Sequence, residues 1–166
     1  KVKQVLLNLL SNAVKFTPDG AVVRLRVRSV APEESGLAVR AIFIEVIDRG
    51  NLVGPANPWL PPVDGYRHLA EVVQWNRTVH EAMLAELKLG RLPILLGGDH
   101  CLGIGSISAV ARHCREANKK LRVLWLDAHA DFNTSTLTPS GNVHGMPVAC
   151  LCGHGPQELI EIGGTV

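Results

Sequence analysis

No apolar run in this chain reaches the roughly 18–20 residues that a membrane-spanning helix needs, so no such span is expected. There is no Cys-x-x-Cys pair, which removes the zinc knuckle and the dithiol redox motif. Internal repeats and low-complexity stretches are absent too, which removes solenoids and flexible linkers. Neither sign of charge dominates. Seventeen Lys/Arg stand against 15 Asp/Glu for a net +2, which gives no strong pull toward nucleic acid or a membrane surface. Lys1 to Leu10 is a short apolar helix pattern with no cleavage site, so no signal peptide is expected. The four cysteines, Cys101, Cys114, Cys150 and Cys152, are expected to be free thiols in a reduced, cytoplasmic protein.

What is present is a core. Apolar residues make up 46% and charged residues 19% of the 166, enough for one ordinary domain or two small ones. Val2, Val5, Leu6, Leu9, Leu10 and Ala13 fall at helical spacing and predict a helix over 2–15, stopped by Thr17-Pro18-Asp19-Gly20. Val23, Leu25 and Val27 alternate with Arg24, Arg26 and Arg28, the pattern of a half-buried strand. Residues 39–47 read as its antiparallel partner. After Asp48 comes an irregular stretch holding Pro55, Pro58, Pro61 and Pro62. Leu69, Val72, Val73, Val79, Met83 and Leu87 then make one helical stripe closed by Gly90.

Two short apolar runs follow, Leu92 to Leu96 and Arg122 to Leu126, separated by a helix predicted over 104–118. Strands apolar on both faces and alternating with helices predict an α/β fold, three-layer αβα with a mostly parallel sheet, preceded by a small helix and β-hairpin. In such sheets ligands sit at the carboxyl ends of the strands. Gly97-Gly98-Asp99-His100 ends the first run, and Asp127-Ala-His129-Ala-Asp131 ends the second.

In an extended segment, residues i, i+2 and i+4 face one side, so Asp127, His129 and Asp131 are expected to converge, with His100 joining from the neighbouring run. One such residue alone is more often a cap or a space-filler. Three at this spacing with a fourth beside them point to a metal. Carboxylates with imidazoles suit Mn²⁺, Zn²⁺ or Fe²⁺. Two ions sharing carboxylates would activate water for hydrolysis. Asn133, Ser140 and Asn142 fit turn chemistry as well as ligand binding. His144 is a candidate acid/base.

In order and spacing, Gly97-Gly98-Asp99-His100, Asp127-Ala-His-Ala-Asp131-Phe-Asn133-Thr134 and Ser140-Gly-Asn-Val-His144-Gly145 resemble the arginase (ureohydrolase) family, and so does Asp48-Arg-Gly-Asn51-Leu-Val-Gly-Pro55. The likeness spans about residues 46–166. It implies hydrolysis of L-arginine to L-ornithine and urea in a homo-oligomer. His100, Asp127, His129 and Asp131 would be ligands to a pair of Mn²⁺ ions. His144 and Asp131 would be the catalytic pair, and Asn133, Ser140 and Asn142 would hold the α-carboxylate and α-amino ends of the substrate. The resemblance also implies two further metal-binding aspartates and a guanidinium-binding glutamate. None lies within these 166 residues, so weak or absent turnover is expected of this chain.

Residues 1–47 are similar to something else. Gln4-Val-Leu-Leu-Asn8-Leu-Leu-Ser-Asn12-Ala-Val-Lys15-Phe-Thr resembles the N-box helix of the sensor histidine kinase ATP-binding domain. That likeness would make Asn12, Lys15 and Asp48 nucleotide contacts. The expectation is a chimera of two partial domains, 1–47 and 48–166. Its alternative functions are an ATP-binding fragment or a non-catalytic fusion.

Overall fold

A computed structural model of the protein describes residues 21–35 and 41–164. The helix expected over 2–15 lies outside them. The chain divides into two compact units: one takes in residues up to Leu52 together with Leu89–Gly97, the other Val53–Lys88 together with Gly98 onward.

The first unit is a three-stranded antiparallel sheet in the order β2-β1-β3, built from β1 (Ala21–Val30), β2 (Ala41–Asn51) and β3 (Leu92–Ile94). The alternating run around Val23–Arg28 forms β1, and the second β-rich run pairs with it antiparallel, from Val30↔Ala41 to Val23↔Asp48, with a shift of register near Ala21. A short helix, α1 (Pro32–Ser35), follows β1, and Arg28 forms an ion pair with Glu34. Two expectations are corrected here. Leu92–Ile94 does form a strand, but it pairs antiparallel with β1, Val23 facing Ile94 and Leu25 facing Leu92. Pro93 explains why this strand sits at the edge: it has no N–H to give to a second neighbour. The run Arg122–Leu126, expected as the next parallel strand, has no strand partner, and Val123, Leu124 and Leu126 are exposed. A strand apolar on both faces is stable only when paired and covered, and among the described residues no ladder is offered to it. The described sheet is therefore antiparallel, not the mostly parallel one expected.

The second unit is helical. It contains α2 (Leu69–Lys88), α3 (Leu102–Glu116), a 3₁₀ turn (Val143–Gly145), α4 (Pro147–Leu151), α5 (Gln157–Ile160) and a last 3₁₀ turn (Glu161–Gly163). Its core joins Val73 of α2, Cys101 and Ile104 at the start of α3, Val143, Met146, Cys150 and Leu159, with Leu69 and Val72 packed at the margin. Burial pushes the Cys150 thiol up to about 11 and the Cys101 thiol higher still, so both stay protonated and unreactive. All four cysteines are free.

Helices α2 and α3 meet at a polar clasp. Asn76 is fully buried; its Nδ2 donates to Val72 O at 2.9 Å, and its Oδ1 accepts from Gly105 N at 2.7 Å. One turn on, His80 is 4% exposed and neither ring nitrogen has a hydrogen-bond partner. An unpaired buried polar atom costs about 1–3 kcal/mol. Burial first, and then the Arg112 guanidinium, hold the pKa of His80 below its ordinary 6.5, outweighing the opposing pull of the Gly105 backbone and of Glu81. The unfolded chain therefore takes up a proton as pH falls through about 6.5 while the folded chain does not, so this part of the stability is complete above that pH and is lost on acidification. His80→Phe should be neutral or stabilising at about pH 7.5 and should lose less stability than the parent on descent to about pH 5.5. Parallel urea-denaturation curves for the two proteins across that range would contradict it.

Candidate metal centre

The residues singled out for metal and substrate chemistry all belong to the second unit. The loop into α3 carries His100. Gly98 turns it with φ +86, a conformation strained for any other residue, and a Cβ there would also push the Leu102 side chain aside, its Cδ1 lying 2.4 Å away. Asp99 closes the turn, its Oδ1 accepting from Cys101 N at 2.9 Å. His100 Nδ1 then lies 3.0 Å from Asp131 Oδ2 and 3.2 Å from Asp127 Oδ2. One ligand atom from each of these three residues falls within 4.8 Å of the others. Trp125 stands edge-on to the imidazole, with ring centroids 6.4 Å apart at 82°.

The convergence does not come from an extended backbone. Four residues of strand span about 13 Å, too far for Asp127 and Asp131 to share a small ion. The chain bends at 127–129, and Asp131 takes a left-handed φ of +47. Aspartate tolerates that conformation better than most residues, at a modest strain. The buried Asp131 is held there because Val148 N donates to its carbonyl at 3.0 Å. His129 ends elsewhere than expected: its side chain is 81% exposed, and its Nδ1 lies 3.2 Å from Asp127 Oδ1, not among the other three. Asp127 thus turns one oxygen toward His100 and the other toward His129.

The charges are consistent with this geometry. The hydrogen bond to Asp131 is the largest cause holding the pKa of His100 above the ordinary histidine value, with Asp127 adding to it. The backbone N–H of His129, donating to Asp127 Oδ1 at 2.9 Å, is the largest cause holding the Asp127 carboxyl below the usual range. Two carboxylates on one imidazole nitrogen form a cluster short of positive charge. Its donor set of two hard oxygens and one nitrogen fits a divalent ion of the Mn²⁺ or Zn²⁺ kind, which would have to displace the proton on His100.

The remaining candidates lie on segments laced to this cluster. Asn133 N donates to Gly145 O at 2.9 Å, which draws the 140–145 loop alongside Asp131. Asn142 precedes the 3₁₀ turn that carries His144, and its N–H donates to Ser140 Oγ at 3.2 Å. His144 Nδ1 stands 3.9 Å from Asp99 Oδ2. Asn133, Ser140 and His144 are exposed. Sequence reasoning assigned no task to Asp99 or Trp125; an Asp immediately before the metal histidine was the available signal for the first. Of the alternative nucleotide contacts, Asn12 and Lys15 lie outside the described residues, and Asp48 falls in β2 opposite Val23.

Comparison with known proteins gives these motifs their context. The chain matches the Arginase family over residues 15–164. It belongs to the arginase family. Arginase from Staphylococcus aureus (strain COL) is 35% identical over 131 residues, covering 77% of this chain and 42% of the relative. The Brevibacillus brevis arginase is 39% identical over 117 residues, 70% of this chain and 38% of that one. Among solved structures, arginase from Bacillus caldovelox aligns with a TM-score of 0.64 at 37% identity, covering 70% of this chain and 38% of that one. Entamoeba histolytica arginase, solved in complex with L-ornithine, aligns at 0.62 and 38% identity over 70% of this chain and 40% of that one. The chain therefore spans less than half the length of these arginases.

The neighbours carry the αβα class and the hydrolase family to this chain; they do not carry over its sheet arrangement. The family match runs from residue 15 through the point where a boundary was expected at 47/48, so the kinase-like reading of the first segment finds no support.

Proposed function

We propose that this chain forms a metal-binding part of an arginase-type hydrolase, with L-arginine as substrate, L-ornithine and urea as products, and Mn²⁺ as the metal. The observation that carries the reading is the meeting of His100 Nδ1 with carboxylate oxygens of Asp127 and Asp131 inside 4.8 Å. His100, Asp127 and Asp131 would hold the metal, and His129, on the other oxygen of Asp127, is the further residue that would join them. Bound there, divalent ions lower the pKa of coordinated water toward neutrality and make hydroxide available.

The chain's own residues would supply the rest. Asn133, Ser140 and Asn142, on loops tied beside Asp131, offer amide and hydroxyl groups suited to the carboxylate and ammonium ends of an amino acid. His144, exposed and 3.9 Å from Asp99, can carry a proton between solvent and the leaving amine. Asp131, buried and with its backbone held at positive φ, keeps one carboxylate oxygen directed at His100.

Isothermal titration of the chain with Mn²⁺ and a urea-release assay test this reading. Mn²⁺ should bind and raise the unfolding temperature. Urea release should stay far below that of a whole arginase, because the two further aspartates and the glutamate implied by the family are not among these residues. Absence of any Mn²⁺ binding would overturn the metal assignment, and turnover equal to a whole arginase would overturn the division of labour.

A further inference from the structure

The second unit holds a cavity of about 660 Å³ that shares no residue with the metal cluster. Its floor is α2, where Arg77, His80, Glu81 and Leu84 follow one another at helical spacing. Helix α3 contributes Arg112, whose Nε is held by Glu116 Oε1 at 2.9 Å, leaving the two terminal nitrogens for a ligand. Helix α5 and the last 3₁₀ turn bring Gln157, Glu158, Glu161 and Ile162, with Gln157 Nε2 donating to Glu161 Oε1 and leaving the other carboxylate oxygen for a ligand. Guanidinium groups thus come from the two long helices and carboxylates chiefly from the 157–162 segment, with Leu84 and Ile162 supplying aliphatic lining. His80 lines this cavity while deeply buried, with neither ring nitrogen partnered.

We propose that this cavity is a binding site for a zwitterionic α-amino acid with an apolar side chain. A carboxylate between Arg77 and Arg112 would make the charge-assisted hydrogen bonds that guanidinium forks favour. It would also set an acceptor beside the His80 ring, which lines the same cavity. The ammonium group would meet Glu158 and Glu161, and the alkyl chain would lie on Leu84 and Ile162. A simple anion is disfavoured by the three carboxylates, and a simple cation by the two arginines.

Calorimetry on the full chain, kept metal-free with EDTA, tests this independently of the metal reading. L-Leucine is the probe; 4-methylpentanoate, lacking the ammonium group, and 3-methylbutylamine, lacking the carboxylate, are its controls. L-Leucine should bind in the millimolar range, and each control at least about tenfold more weakly. L-Leucine should also move the His80 ring resonances. Arg112→Gln and Glu158→Gln, both at solvent-facing positions, should each weaken L-leucine by about tenfold. No binding of L-leucine, equal binding of all three compounds, or unchanged affinity in both variants overturns the proposal.

Discussion

Asp127→Asn is expected to lower Mn²⁺ affinity by more than about 100-fold, since loss of a group that merely orients a ligand already costs about 10–100-fold. The substitution keeps the side-chain shape and removes the charge, so it separates coordination from packing. Asp127 is the position to choose because both of its oxygens are engaged, Oδ2 with His100 and Oδ1 with His129. An asparagine leaves only one carbonyl oxygen and turns an NH₂ toward one of those imidazoles. His144→Ala should change Mn²⁺ affinity by less than about threefold, because His144 contacts only Asp99, at 3.9 Å, and none of the clustered ligands. Titrations monitored by calorimetry and by the Mn²⁺ paramagnetic signal give both affinity and stoichiometry. If Asp127→Asn binds Mn²⁺ as the parent does, the cluster is an ion-pair network and not a metal site.

Much of this was legible in the residues, and the gaps have physical causes. Alternation of Val23, Leu25 and Val27 with arginines gave β1, because a period of two means little else. The stripe from Leu69 to Leu87 gave α2. Asn76 and His80 fall inside that stripe and are among its most buried side chains, but a helical period orders positions and could not reveal what these polar groups would meet there. Pro93 was the overlooked sign that the short apolar run is an edge strand. For Arg122–Leu126, composition alone favours a buried strand; what decides is whether a neighbouring ladder exists, and local sequence does not encode that. The metal residues were legible as chemistry, but the reason offered for their meeting was incomplete. A straight strand would hold Asp127 and Asp131 apart, and the bend that joins them depends on the left-handed backbone of Asp131 and on Val148 holding its carbonyl.

The same lesson about partners sets the expectation for Gly105→Ala. In an exposed helix this exchange would stabilise by about 1 kcal/mol through helix propensity. Here the added methyl would sit 2.3 Å from Asn76 O and 3.0 Å from Asn76 C and Cα, all backbone atoms of the facing helix. Backbone cannot swing aside as a side chain can, so α2 and α3 must move apart. Overpacking of this kind costs about 1–3 kcal/mol. The separation would also stretch the 2.7 Å bond from Gly105 N to Asn76 Oδ1, worth a further ~1 kcal/mol. The contact outweighs the propensity, and a net loss of about 2 kcal/mol is expected. Gly103→Ala, two residues earlier in the same helix, is the control: its methyl would meet only the edge of the Trp125 side-chain ring, at 3.2 Å. A side-chain ring edge needs to give by only a few tenths of an ångström there, so that variant should stay within about 1 kcal/mol of the parent. Urea denaturation of the three proteins decides between the two effects. A Gly105→Ala protein at least as stable as the parent would mean that the two helices are not packed as closely as the Asn76 clasp requires.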